Sequence, residues 1–168
     1  DPRQEKAERI AAAKAKAEEA KRIAAPALAA WQKYVDARSA RWSARHLLEH
    51  DRMVCEGGAP RTRGRRPGES DVTLPGILRP LLALPLEKID TDTARAWLQE
   101  EATRRPTRAA LAVRMLAAFL AWCEGRPEYR RQVRADTSMA RIAKDELPKR
   151  AAKNDCLQRE QLRPWFAA

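Results

Sequence analysis

Apolar residues recur at helical spacing along most of this chain, and each run is closed by a recognisable stop. After Pro26, Leu28, Trp31, Tyr34 and Val35 mark one buried face. A second helix is predicted from Ser43, a good N-cap, to about Cys55. Its apolar side carries Leu47, Leu48, Val54 and Cys55, and its opposite side Arg45 and Arg52 with Glu49 between them. Gly57 and Gly58 end it. Ile77 to Ala83 is a short apolar segment, and Thr91 caps a helix through Arg95, Trp97, Leu98 and Glu101. Pro106 opens a long helix to about Glu124, with a buried stripe of Ala112, Met115, Leu116, Phe119, Leu120 and Cys123. Its other face holds Thr107, Arg114 and the small Ala110, Ala117 and Ala118, and Gly125 stops it. A last short helix is predicted from Pro127, with Tyr129, Arg130, Val133 and Arg134.

Ahead of these elements, residues 2–25 are Ala, Lys, Glu and Arg with almost no bulky apolar side chain. Asp1 can cap, Pro2 suits the first helical position, and Glu18 and Arg22 form a favourable pair four apart. The segment reads as a long solvated helix, a connector rather than a partner-binding surface. The whole predicts an all-α fold: a small orthogonal bundle of four to five helices preceded by a long charged helix. Residues 26–142 form the domain, 143–156 a linker, and 157–168 the helical opening of a further domain. The chain starts at Asp1 without an initiator Met, so it reads as a piece of something longer.

Charge changes the picture from fold to partner. The 168 residues carry a formal net charge of +11, which favours a polyanion: nucleic acid first, an acidic membrane surface second. Ala and Arg dominate while β-branched residues are sparse, a helix-forming composition. Cys55, Cys123 and Cys156 are odd in number and widely spaced, which argues against a disulfide framework or a zinc site and for a reducing compartment. The longest apolar run, Met115 to Cys123, is about half of what spans a bilayer. With no signal-peptide pattern, a cytoplasmic location is expected. Ala59 to Ser70 reads as a mobile basic loop; within it Arg63-Gly64-Arg65-Arg66-Pro67 resembles an AT-hook, interrupted by the extra Arg66.

One catalytic-looking motif stands out. His46-Leu47-Leu48-Glu49-His50 fits the inverted zinc-protease pattern, which places two imidazoles and a carboxylate on one side of a helix, with Glu124 as a conceivable third ligand. The alternative is a pair of polar residues at a packing edge or near DNA, and that alternative is preferred. Tyr34 and Tyr129 sit inside amphipathic helices and read as core residues rather than nucleophiles. No Gly-rich phosphate loop, Gly-x-Ser-x-Gly or acidic metal cluster occurs, so no cofactor is expected. Basic residues gather in three places: Arg41, Arg45 and Arg52; Arg104, Arg105, Arg108 and Arg114; and Lys149, Arg150 and Lys153. An outward helix face that combines Arg or Thr with Ala can lie close in a major groove.

The order of these features resembles the core-binding domain of tyrosine recombinases of the prophage integrase group. Leu28-Ala29-Ala30-Trp31 resembles that family's opening helix, and Trp42-Ser43-Ala44-Arg45-His46 the start of its second. Leu84-Pro85-Leu86-Glu87-Lys88-Ile89-Asp90-Thr91-Asp92 is similar to the lead-in to its third helix, and Ala110 to Trp122 to its fourth. Leu157-Gln158-Arg159-Glu160-Gln161-Leu162 is similar to the first helix of its catalytic domain. The resemblance implies a SAM-like bundle that clamps the recombination core site on duplex DNA, with other integrase protomers as further partners. It places DNA contacts on Arg41, Ser43, Arg45 and Arg52, and on Arg105, Thr107, Arg108 and Arg114. Phosphate contacts fall to Lys149, Arg150 and Lys153 of the linker. The family's catalytic residues find no counterpart among these positions. A helical protein-interaction module with a basic surface is the alternative.

Overall fold

The computed structural model describes residues 2–61, 70–134 and 137–147, with side chains from residue 9 onward and that of residue 22 excepted. Helix α1 (Pro2–Ala24) is followed by α2 (Ala27–Ser39), α3 (Ala44–Val54), the single turn α4 (Arg79–Leu82), α5 (Thr91–Arg104), α6 (Pro106–Glu124) and α7 (Met139–Glu146). The fold is all-α, with only isolated β-bridges among the described residues.

Sequence accounts for most of the boundaries. Pro26 cannot donate the hydrogen bond that would continue α1, and the Ala27 N–H donates instead to Leu84 O at 2.8 Å. Ser43 caps α3 through its hydroxyl, which accepts from the His46 N–H at 3.3 Å. The cap of α5 is Asp90 rather than the expected Thr91: the Asp90 carboxylate accepts from Thr93 N–H at 2.8 Å. Helix α6 runs from Pro106 to Glu124 as expected, and its whole predicted stripe is buried.

Two predicted elements differ. Residues 126–134 form turns rather than a helix, with Arg126 and Tyr129 carbonyls accepting short-range bonds. A helix forms later instead: Ser138 caps α7, which buries Met139 and Ile142 and packs on α5 and α6. The stretch after α3, read as a loop, is paired over part of its length. Gly58 N–H donates to Thr73 O, Thr73 N–H to Ala59 O and Arg61 N–H to Asp71 O, each at 2.8 Å, so 55–61 and 71–78 form an irregular antiparallel ribbon. Its root is tight. A Cβ on Gly76 would lie 2.4 Å from the Met53 carbonyl carbon and oxygen, and Gly57 holds φ +75° against the Leu74–Pro75 backbone. Arg79 donates to Val54 O and pairs with Glu56, and Arg105 donates to Pro75 O.

The core lies between α2, α4, α5 and α6. Trp31, Phe119, Leu98, Leu116, Leu82 and Ile89 are all but fully buried in it. The Trp97 indole N–H donates to Ile77 O at 2.9 Å and ties α5 to the segment that leads into α4. Lys149, Arg150, Lys153, the AT-hook-like residues 63–67 and residues 157–168 lie outside the described residues.

Candidate nucleic-acid interface

Helix α3 buries only part of the side its aliphatic residues suggested: Leu47 and Val54 pack against the core as expected. His50 and Met53 face the core, while Leu48 is 46% exposed and Cys55 is exposed. His50 enters an aromatic cluster: its ring stacks on Trp42 at 4.2 Å between centroids, with Trp31 at 5.5 Å and Tyr34 at 6.0 Å. Its Nδ1 lies 2.9 Å from the His46 carbonyl oxygen. A carbonyl only accepts, so Nδ1 carries the proton. Burial holds the His50 imidazole below its ordinary value.

One His50 nitrogen is committed to the helix backbone and its ring stacks among aromatics. His46 packs edge-on against Trp42 at 4.7 Å. Glu124 ends α6, and its backbone oxygen accepts from Arg130. Among the described residues no three His, Cys, Asp or Glu side chains are placed to hold a metal ion. His46 and His50 both pack on Trp42, while Glu49 is taken up by two arginines.

Helix α6 meets α3 through an ion pair, Arg108 to Glu49. One Glu49 carboxylate oxygen accepts from Arg52 at 2.9 Å and the other from Arg108, across from α6. The Arg108 hydrogen bond, then the Arg52 one, holds the Glu49 carboxyl below the usual carboxylate range. Beside this junction is an open cleft of about 310 Å³, floored by Leu111, Met115 and Ala118 and rimmed by His46, Glu49 and Arg114.

The sequence-predicted site residues separate into three groups. Arg41, Arg45, Thr107 and Arg114 are exposed, and among the described residues no carboxylate pairs with any of the three arginines. Arg52 and Arg108 share Glu49, and Ser43 is engaged as the cap of α3. Arg105 is held inside the fold: it grips Glu101, itself 4% exposed, with two 2.8 Å bonds and reaches Pro75 O with its remaining arm. That position makes Arg105 a clasp between α5, α6 and the ribbon root. Sequence reasoning noted Glu49 as a spacer between arginines and as the carboxylate of the His-x-x-Glu-His motif, not as a bridge to α6. Its bridge to Arg108 spans 59 positions, and nothing in local periodicity signals it.

Residues 26–145 match the model of the phage integrase core-binding domain. The chain belongs to this family. The match to the core-binding domain begins at Pro26, the break after α1, and ends inside α7. A prophage integrase of Escherichia coli strain K12, IntF, is 34% identical over 177 aligned positions, an alignment that covers all of this chain. This chain spans 37% of the length of that relative. No solved structure matches. The tyrosine recombinase resemblance thus holds at the level of the family, and its landmarks fall on α2, α3, the lead-in to α5, and α6. Among the described residues no helix is long and apolar enough to cross a membrane.

Proposed function

We propose that this core-binding domain binds double-stranded DNA and clamps the core site recombined by its parent integrase, with α3 and α6 facing the major groove. The observation that carries the reading is the set of exposed cations on two helices that meet at the Glu49–Arg108 pair and line one cleft. Arg41 and Arg45 at the start of α3 and Thr107 and Arg114 on α6 are exposed, and among the described residues no carboxylate pairs with the three arginines. The short, exposed Ala118 leaves room for close approach along α6. Guanidinium groups without carboxylate partners neutralise phosphates and release counterions; short side chains between them let a helix seat in the groove. The net charge of +11 favours the same partner at long range.

Strand cleavage is assigned to the parent recombinase rather than to these residues. Tyr34 is 2% exposed and Tyr129 7%, and burial raises the Tyr34 phenol above its ordinary value, the opposite of what a nucleophile needs. Lys149, Arg150 and Lys153 would add phosphate contacts along the linker.

Titration of labelled duplex DNA at several salt concentrations tests the proposal. Arg45→Ala with Arg114→Ala should weaken binding at least roughly tenfold and flatten the salt dependence by about two counterions. Arg9→Ala with Lys16→Ala, on the exposed α1, should change binding far less. Equal effects of the two pairs, or no binding at low salt, would refute the interface.

A further inference from the structure

Glu49 is the feature that a simple phosphate-binding surface leaves unexplained. A carboxylate in the middle of a cationic face repels the DNA backbone, and this one also occupies two guanidiniums that could otherwise neutralise phosphates. An isolated exposed pair contributes little. Glu49 is different because it is two-sided and partly enclosed: its side chain is 22% exposed, and that of Arg108, on the other helix, 32%. The carboxyl sits below the usual range and so remains charged through neutral pH.

A guanidinium is a rigid planar fork. When a carboxylate holds one arm, the swing of the side chain is restricted and its remaining donors stay free for another partner. Phosphate contact tolerates a swinging side chain, whereas reading a base edge needs the fork aligned in the groove. Arg108 stands in the first turns of α6, next to the exposed Thr107 and across from the Arg45 helix, where such alignment would serve recognition.

We infer that Glu49 is a specificity-determining positioning residue, which keeps Arg52 and Arg108 from indiscriminate phosphate contact and orients the Arg108 fork toward base edges. The role rests on the DNA reading above. It gives the carboxylate a function in discrimination between sequences at the expense of raw affinity.

The test compares binding to a randomised duplex pool with binding to duplexes selected from that pool, across salt, for wild type, Glu49→Gln and Glu49→Gln/Arg108→Gln. Glu49→Gln should bind random duplexes more tightly, steepen the salt dependence by about two counterions, one each for the released Arg52 and Arg108, and lose about tenfold in its preference for selected sequences. The double variant should give back about one of those two counterions, the released Arg52 accounting for the other, while its preference stays low. A folded Glu49→Gln protein with wild-type salt dependence and preference overturns the inference, as does a wild type that selects no sequence. Should Glu49→Gln lose its thermal transition, Glu49→Asp, too short to span both guanidiniums, is read by the same criteria. A wild type without salt-dependent duplex binding overturns the DNA reading itself, and the role of Glu49 falls with it.

Discussion

His50 stacks under Trp42 with its Nδ1–H donated to the His46 carbonyl, and burial favours the neutral ring. Its folded value therefore lies below the 6.5 of the free side chain. As pH falls through 6.5, the unfolded chain takes up a proton that the folded chain refuses, so stability declines until the lower folded value is reached. Urea unfolding midpoints should thus drop between pH 7.5 and 5.5, and the drop should shrink in His50→Gln. A flat wild-type profile in that window would contradict the buried neutral imidazole. The same residue shows where sequence reading stops. Hydropathy placed Leu47, Leu48, Val54 and Cys55 on the inner side of α3. Leu47 and Val54 do pack against the core, but Leu48 and Cys55 are exposed and His50, whose imidazole counts as polar, is buried instead. What decided the rotation of the helix was the chance for His50 to stack among Trp31, Tyr34 and Trp42, a contact between residues on different elements. Arg105 was similarly opaque: its charge was legible, while its engagement by Glu101 depends on the turn between two helices.

At the scale of the element, local signals served well where they were strong. Pro106, the apolar stripe and Gly125 defined α6 end to end, and Ser43 defined the start of α3. They failed where the helix is short. Tyr129 and Val133 had apolar spacing but gained burial within turns, whereas α7 needed its contacts with α5 and α6 to form at all, since eight residues are marginal alone. The Ser43 cap permits two separable predictions. Ser43→Ala removes the acceptor for His46 N–H and should cost about 1 kcal/mol in denaturant unfolding. Ser43→Asp keeps an acceptor and suits the helix N-terminus, so stability should hold; its added negative charge on the proposed face should weaken duplex binding several-fold. An Asp variant that binds DNA like wild type would move the interface away from the start of α3.

For the whole molecule, the fold class and the cationic character were both readable from periodicity and charge, since each is a sum over many residues. The division of labour among the arginines was not, because it is set by which carboxylates the fold brings near. The ribbon after α3 belongs to this scale. Its root is pinned by Arg79 on Val54 and Glu56, by Arg105 on Pro75, and by Gly76 against Met53. Gly76→Ala should cost about 1–3 kcal/mol through overpacking, readable as a lowered urea midpoint. Chain between positions 61 and 70, by contrast, starts and returns at a fixed gauge. Doubling its length with Gly and Ser should lower stability by only about 0.6 kcal/mol. The root therefore acts as a socket. What is plugged into it can be lengthened, shortened or recharged without renegotiating the core, and an engineer can splice a foreign peptide there on the same terms.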